Sequence, residues 1–114
     1  MGKSGDQFEL VTSEYILSEL EHTFQKPYFQ KYAGVSKINA FMELLHDKAF
    51  VTPITVHIQG IATHPEDDVI LATAVSAKAD YLVTGDGPLL RKVGSVYKKV
   101  NLVTPNDFLK RLQQ

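Results

Sequence analysis

The chain has 114 residues, 44% hydrophobic and 22% charged, which is enough to bury a core without staples and predicts one globular domain over residues 1–114. A net charge of −1 excludes holding nucleic acid by bulk electrostatics, so any such contact must come from local clusters such as Arg91-Lys92 and Lys98-Lys99. The absence of cysteine excludes disulfides and thiolate metal sites; with no apolar run of membrane-spanning length and no apolar leader over residues 1–6, no membrane partner and a cytoplasmic location are expected.

Phe8-Glu9-Leu10-Val11 reads as a short strand. Thr12-Ser13-Glu14 then supplies a hydroxyl cap and a first-turn acid for a helix whose apolar face carries Ile16, Leu17, Leu20 and Phe24. Glu19 borders that face, the position of a solvated carboxylate. Pro27 ends or bends the helix. Tyr28, Phe29 and Tyr32 follow near Lys26 and Lys31, a patch that packs a short helix or stacks bases. Ile38, Phe41, Met42, Leu44 and Leu45 mark an amphipathic helix ending near Asp47. The next strand lies within residues 49–54, with Pro53 at its end or on an edge. His57 and His64 sit in the irregular connection beyond it. His64 could join Asp67 and Asp68 on a metal, although a loop histidine near a helix start is more often solvated.

The stretch from Pro65 to Pro88, PEDDVILATAVSAKADYLVTGDGP, organises the rest. Glu66, Asp67 and Asp68 mark a helix start, and Val69 to Val75 is apolar almost all round, as in a buried helix. Tyr81-Leu82-Val83-Thr84 is an unbroken β-prone run, as in a parallel strand covered on both faces. Gly85-Asp86-Gly87-Pro88 is a turn. Leu89 to Gly94 forms a short helix closed by glycine. Val100 to Val103 is the last strand. Thr104 and Pro105 open a final helix with Phe108, Leu109 and Leu112 facing inward. The order β-α-α-β-α-β-α-β-α predicts an α/β fold of three layers, a parallel sheet of about four strands flanked by helices.

Ligands of such sheets sit beyond the carboxyl ends of the strands, which places Asp86 at the working rim and predicts that Asp68 faces it there. Converging carboxylates repel unless a cation lies among them, and hard oxygen donors suit Mg²⁺ or Mn²⁺. Phosphodiester cleavage is then the natural reaction class, with Thr84 offering a hydroxyl to the metal shell or the scissile phosphate. The same acids serve equally well as helix-start and turn residues.

FELVTSEYILSEL, PEDDVILATAVSAKADYLVTGD and LVTPNDFL together resemble the PIN-domain family, especially its branch of toxin components from toxin–antitoxin pairs, from about Phe8 to the end. The resemblance implies a Mg²⁺- or Mn²⁺-dependent ribonuclease with a quartet of acids on a parallel sheet. It implies RNA as substrate and an antitoxin protein as partner. By motif it makes Glu19 the second acid, Asp68 the third and Asp86 the fourth, all three catalytic and metal-binding. Family members open with an apolar strand ending in Asp-Thr-Asn, which supplies the first acid and lies at the sheet centre. No such strand precedes Phe8, and His64 stands where the branch often has Asp. A PIN fold lacking its first strand is expected to hold an apolar groove, to oligomerise or swap strands, and to cleave RNA weakly or not at all. The alternative is a non-catalytic PIN remnant that binds protein or RNA.

Overall fold

The computed structural model describes residues 8–113; the absent-leader expectation for residues 1–6 falls outside them. Strand β1 (Val11–Thr12) leads into helix α1 (Glu14–Phe24), followed by α2 (Pro27–Ala33) and α3 (Val35–Lys48). Then come β2 (Phe50–Val51), α4 (Pro65–Ser76), β3 (Tyr81–Val83), α5 (Gly87–Val93), β4 (Val96–Tyr97), β5 (Val100–Val103) and α6 (Pro105–Leu112).

Local chemistry sets most boundaries. Ser13 caps α1, its Oγ accepting from the Ile16 amide at 3.4 Å, and Thr104 caps α6 by accepting from the Asp107 amide at 3.1 Å. Pro sits in the first turn of α2, α4, α5 and α6, where its missing N–H leaves no bond unmade. Gly94 ends α5 at φ +96°, a conformation that favours glycine, while its amide donates to the Leu90 carbonyl at 2.9 Å.

The sheet departs from expectation. Instead of one parallel sheet of about four strands there are two pieces: β1 pairs with β2 in parallel, and β3-β5-β4 form a second sheet in which β4 is antiparallel. Strand β4 escaped the sequence pattern because its hairpin turn is Lys98-Lys99. Both residues adopt positive φ, at 47° and 72°, the geometry of a two-residue turn normally signalled by Asn or Gly. Strands β1 and β3 do not pair. Both rest on α4, and a cavity of 540 Å³ lies between them. The expected groove is therefore present.

Two separate cores follow from this division. Ile58, Ala62, Leu71, Ala72, Leu89 and Leu102 pack where α4 and α5 cover the β3-β5 sheet, and Leu17, Ile38 and Met42 pack among α1, α3 and their neighbours. Phe41, Leu44 and Leu109, expected inside, are exposed, because the α3 and α6 stripes that meet a neighbour are narrower than the apolar pattern. Phe29 packs inward, whereas Tyr28 and Tyr32 stay exposed with ring centroids 4.6 Å apart.

A buried polar chain joins the amino end of α1 to α4. The Thr73 hydroxyl donates to the Val69 carbonyl at 3.0 Å, so Ser13 is the donor in the 3.0 Å contact with Thr73 Oγ1. Ser13 in turn accepts from the Ile16 amide. Removing either hydroxyl strands the other's partner away from water. Ser13→Ala and Thr73→Val are each expected to lower stability by about 1–2 kcal/mol. The double variant should lose less than the sum of the two, as a chemical-denaturation cycle would measure. Full additivity would show that the two hydroxyls act independently.

Candidate active site

The rim beyond the carboxyl ends of β1 and β3 collects the acids. Tyr15 and Glu19 follow β1 on successive turns of α1, and Asp86 follows β3. Glu66 and Asp67 stand in the first turn of α4. Glu19 and Glu66 line one shallow cavity of 180 Å³ with Tyr15, Ile16, Leu20, Thr23 and Ile70. Both glutamates are exposed.

Asp67 carries the clearest electrostatic mark. Desolvation raises its pKa above the usual carboxylate value, and the nearby charge of Asp86 raises it further. Glu66 and Asp68 push the same way, while His64 at the start of the helix opposes them. Tyr15 is also raised, first by desolvation and then by Glu19, Glu66 and Asp67. The rim is thus a field of negative charge, with Asp67 at its centre.

Asp86 does two things at once. Its Oδ1 caps α5 by accepting from the Leu89 amide at 3.2 Å, while the Asp86 amide donates to Thr84 Oγ1 at 3.1 Å. The turn reading of Asp86 therefore holds alongside the rim reading. Thr84, expected near metal or phosphate, uses its oxygen to hold the Asp86 turn. Arg91 leans over the same turn: a Cβ built on Gly87 would lie 3.0 Å from its Nη1, so glycine leaves room for that guanidinium.

Asp68, expected at this rim opposite Asp86, lies elsewhere. It is only 5% exposed and faces the loop that precedes α4. Its Oδ2 accepts from the Gly60 amide at 3.0 Å, and its Oδ1 accepts from the Ile61 and Ala62 amides at 3.2 and 2.7 Å. Three amides on one carboxylate leave little of it for anything else. Helix phase explains the outcome. Asp68 shares the face of Leu71, Ala72 and Val75, which is the core face, whereas Asp67 shares the face of Ile70 and Ala74, which looks toward the rim and the cavity. The adjacent acid was available in the sequence; counting back from Ala72 selected the wrong one of the two for the rim.

Among the described residues, no three of His, Asp or Glu come together closely enough to hold a metal ion. As placed, Glu19, Glu66, Asp67 and Asp86 share a field but do not form a closed Mg²⁺ or Mn²⁺ site. His64 is exposed at the start of α4, and His57 is exposed with its Nε2 3.2 Å from Gln59 Oε1. Among the described residues no helix is long and apolar enough to cross a membrane.

No curated protein and no solved structure shows significant similarity to this sequence. A protein-family model does: the PIN domain model matches residues 4–87, most of the chain, ending just beyond Asp86. The match takes in the Ser13 cap, the acids of α1 and α4, β3 and the Asp86 turn, and on that extent the chain belongs to the PIN domain family, whose members are generally nucleases.

Proposed function

We propose that this protein is a PIN-type nuclease module directed at RNA phosphodiesters, with Asp67 and Asp86 as its central acids and Glu19 beside them. The observation that carries this reading is the raised pKa of Asp67 under the charge of Asp86, two acids far apart in sequence held close against their repulsion. Asp67 takes the place that motif counting assigned to Asp68, which instead staples a loop. Thr84 is a positioning residue in this scheme, since it acts through the Asp86 turn. Divalent ions are typical of the family, and Mg²⁺ or Mn²⁺ is the cofactor to test. The resemblance to toxin components extends the proposal to an antitoxin protein as partner.

A second reading is a non-catalytic PIN module that binds RNA or protein. It is favoured by the absence, among the described residues, of three acids close enough to hold an ion. Mn²⁺ titration followed by paramagnetic broadening separates the two. Broadening confined to residues around Asp67 and Asp86, together with slow Mn²⁺-dependent cleavage of RNA that Asp86→Asn removes, supports the nuclease. Broadening spread evenly over surface acids, with intact RNA, supports the binding module.

A further inference from the structure

We propose that the cavity between β1 and β3 is an acceptor for a β-strand supplied by another polypeptide, an apolar run that enters parallel to both edges and is followed by a cationic residue. This does not depend on the nuclease reading.

The edges themselves specify a strand. On β1 the Leu10 and Thr12 carbonyls accept from the Phe50 and Thr52 amides at 2.8 and 2.9 Å, so these residues face β2. On β3 the Asp80 carbonyl accepts from Asn101 at 3.0 Å, and the Thr84 amide donates to Val103 at 2.9 Å, so these face β5. A strand alternates the side to which its backbone groups point, which turns the amides and carbonyls of Val11, Tyr81 and Val83 toward the cavity. Two such edges facing one another across 540 Å³ match the two sides of one inserted strand.

Direction follows from the ends. The carboxyl ends of β1 and β3 both lead to the acidic rim, through Tyr15 and Glu19 on one side and Asp86 on the other. Their amino ends also converge: Phe8, ahead of β1, meets Phe108 edge to face at 5.5 Å, and Phe108 meets Tyr81 at 5.6 Å. The two strands therefore run the same way, and an occupant pairs with each in the parallel sense that β2 and β5 already show.

Chemistry follows from the lining. Ile70, Thr73, Ala74 and Ala77 of α4 form one side, and Phe108 and Leu112 stand on α6. A strand covered on both faces reads as an unbroken apolar run. Phe8, Leu10 and Val83 are 52%, 43% and 40% exposed at the cavity, apolar surface that such a run would cover. Ile16 and Ile70 line both this cavity and the shallow acidic one, so the occupant leaves the slot beside Glu19 and Glu66. A lysine or arginine there relieves the repulsion that raises Asp67.

The probe is a peptide of five consecutive valine and isoleucine residues, preceded by Ser-Gly and followed by Lys-Lys. Companion peptides end in Glu-Glu or carry proline at the third apolar position. The lysine peptide is expected to raise the melting temperature with concentration and to slow hydrogen exchange at Val11, Tyr81 and Val83 by at least about a hundredfold at saturation. It should bind at least about tenfold tighter than the glutamate peptide, and the proline peptide should not bind. Ala74→Phe plugs the slot and should abolish the response. Ala77→Phe does so from the less buried end of α4, should the first variant fail to fold. The strand-acceptor assignment is overturned if the three amides stay unprotected with peptide. It is also overturned if they are protected without peptide in a species whose mass doubles with concentration, which gives the slot to a second copy. Equal binding of the lysine and glutamate peptides overturns the cationic flank.

Discussion

Asp68→Ala is expected to destabilise the protein by about 3 kcal/mol, a fall in melting temperature on the order of 10–20 °C for a domain of this size. The reason is local and specific. The carboxylate holds the amides of Gly60, Ile61 and Ala62 at 3.0, 3.2 and 2.7 Å. Hydrogen bonds to a charged group contribute roughly 1.5–3 kcal/mol each when water cannot replace them. Gly60 is exposed and Ile61 half-buried, so water recovers part of those two bonds; Ala62 is buried, and its amide has no substitute. The loop this carboxylate anchors brings Ile58 and Ala62 into the core against Leu71 and Ala72, so its release loosens packing as well as hydrogen bonds. Asp68→Asn keeps the shape but turns an amide N–H₂ toward backbone donors and should fall between the two. Hydrogen exchange should quicken first at residues 60–62. A melting temperature of Asp68→Ala within about 2 °C of the parent would show that the staple contributes little.

Asp67→Asn should behave in the opposite way, leaving the fold at least as stable while ending function. Desolvation and the charge of Asp86 raise the folded-state pKa of Asp67 above its ordinary 3.8. A raised carboxylate binds its proton more tightly folded than unfolded. Its ionisation therefore takes stability away as pH rises from the ordinary value through the raised one. Below that window the parent and the asparagine variant should melt alike; above it the variant should melt higher. The loss of function is larger in scale. If Asp67 and Asp86 are the central acids, Asp67→Asn should lower RNA cleavage in Mn²⁺ by at least about a hundredfold, the scale of losing a principal catalytic group. It should also remove any Mn²⁺-dependent rise in melting temperature. The contrast with Asp68 is the discriminating feature: one acid governs stability, its neighbour governs chemistry. Unchanged cleavage in Asp67→Asn, with cleavage lost in a folded Asp68→Asn, would restore the motif-based assignment.

Much of this protein was legible before any coordinates, and for a common reason. Ser13, Asp86 and Thr104 cap helices within three residues of themselves, Pro65 and Pro105 start helices, and Gly94 ends one. These are contacts between near neighbours along the chain, so residue type and spacing determine them. The apolar run of β3 and the acid-rich opening of α4 are read the same way. By contrast, Lys98-Lys99 adopt a turn that their side chains do not favour, and only the pairing of β4 with β5 holds them there. The choice between Asp67 and Asp68 rested on which face of α4 meets the loop at residues 60–62 and which meets Asp86, contacts that a count from Ala72 cannot register. The open slot between β1 and β3 is likewise a relation between segments far apart in sequence, set by where α4 supports each strand. The chain alone determined its helices, its caps and the acids it could offer. Tertiary structure decided which acid reaches the rim and which edges stay unpaired, because those outcomes depend on distances between elements that no local pattern encodes.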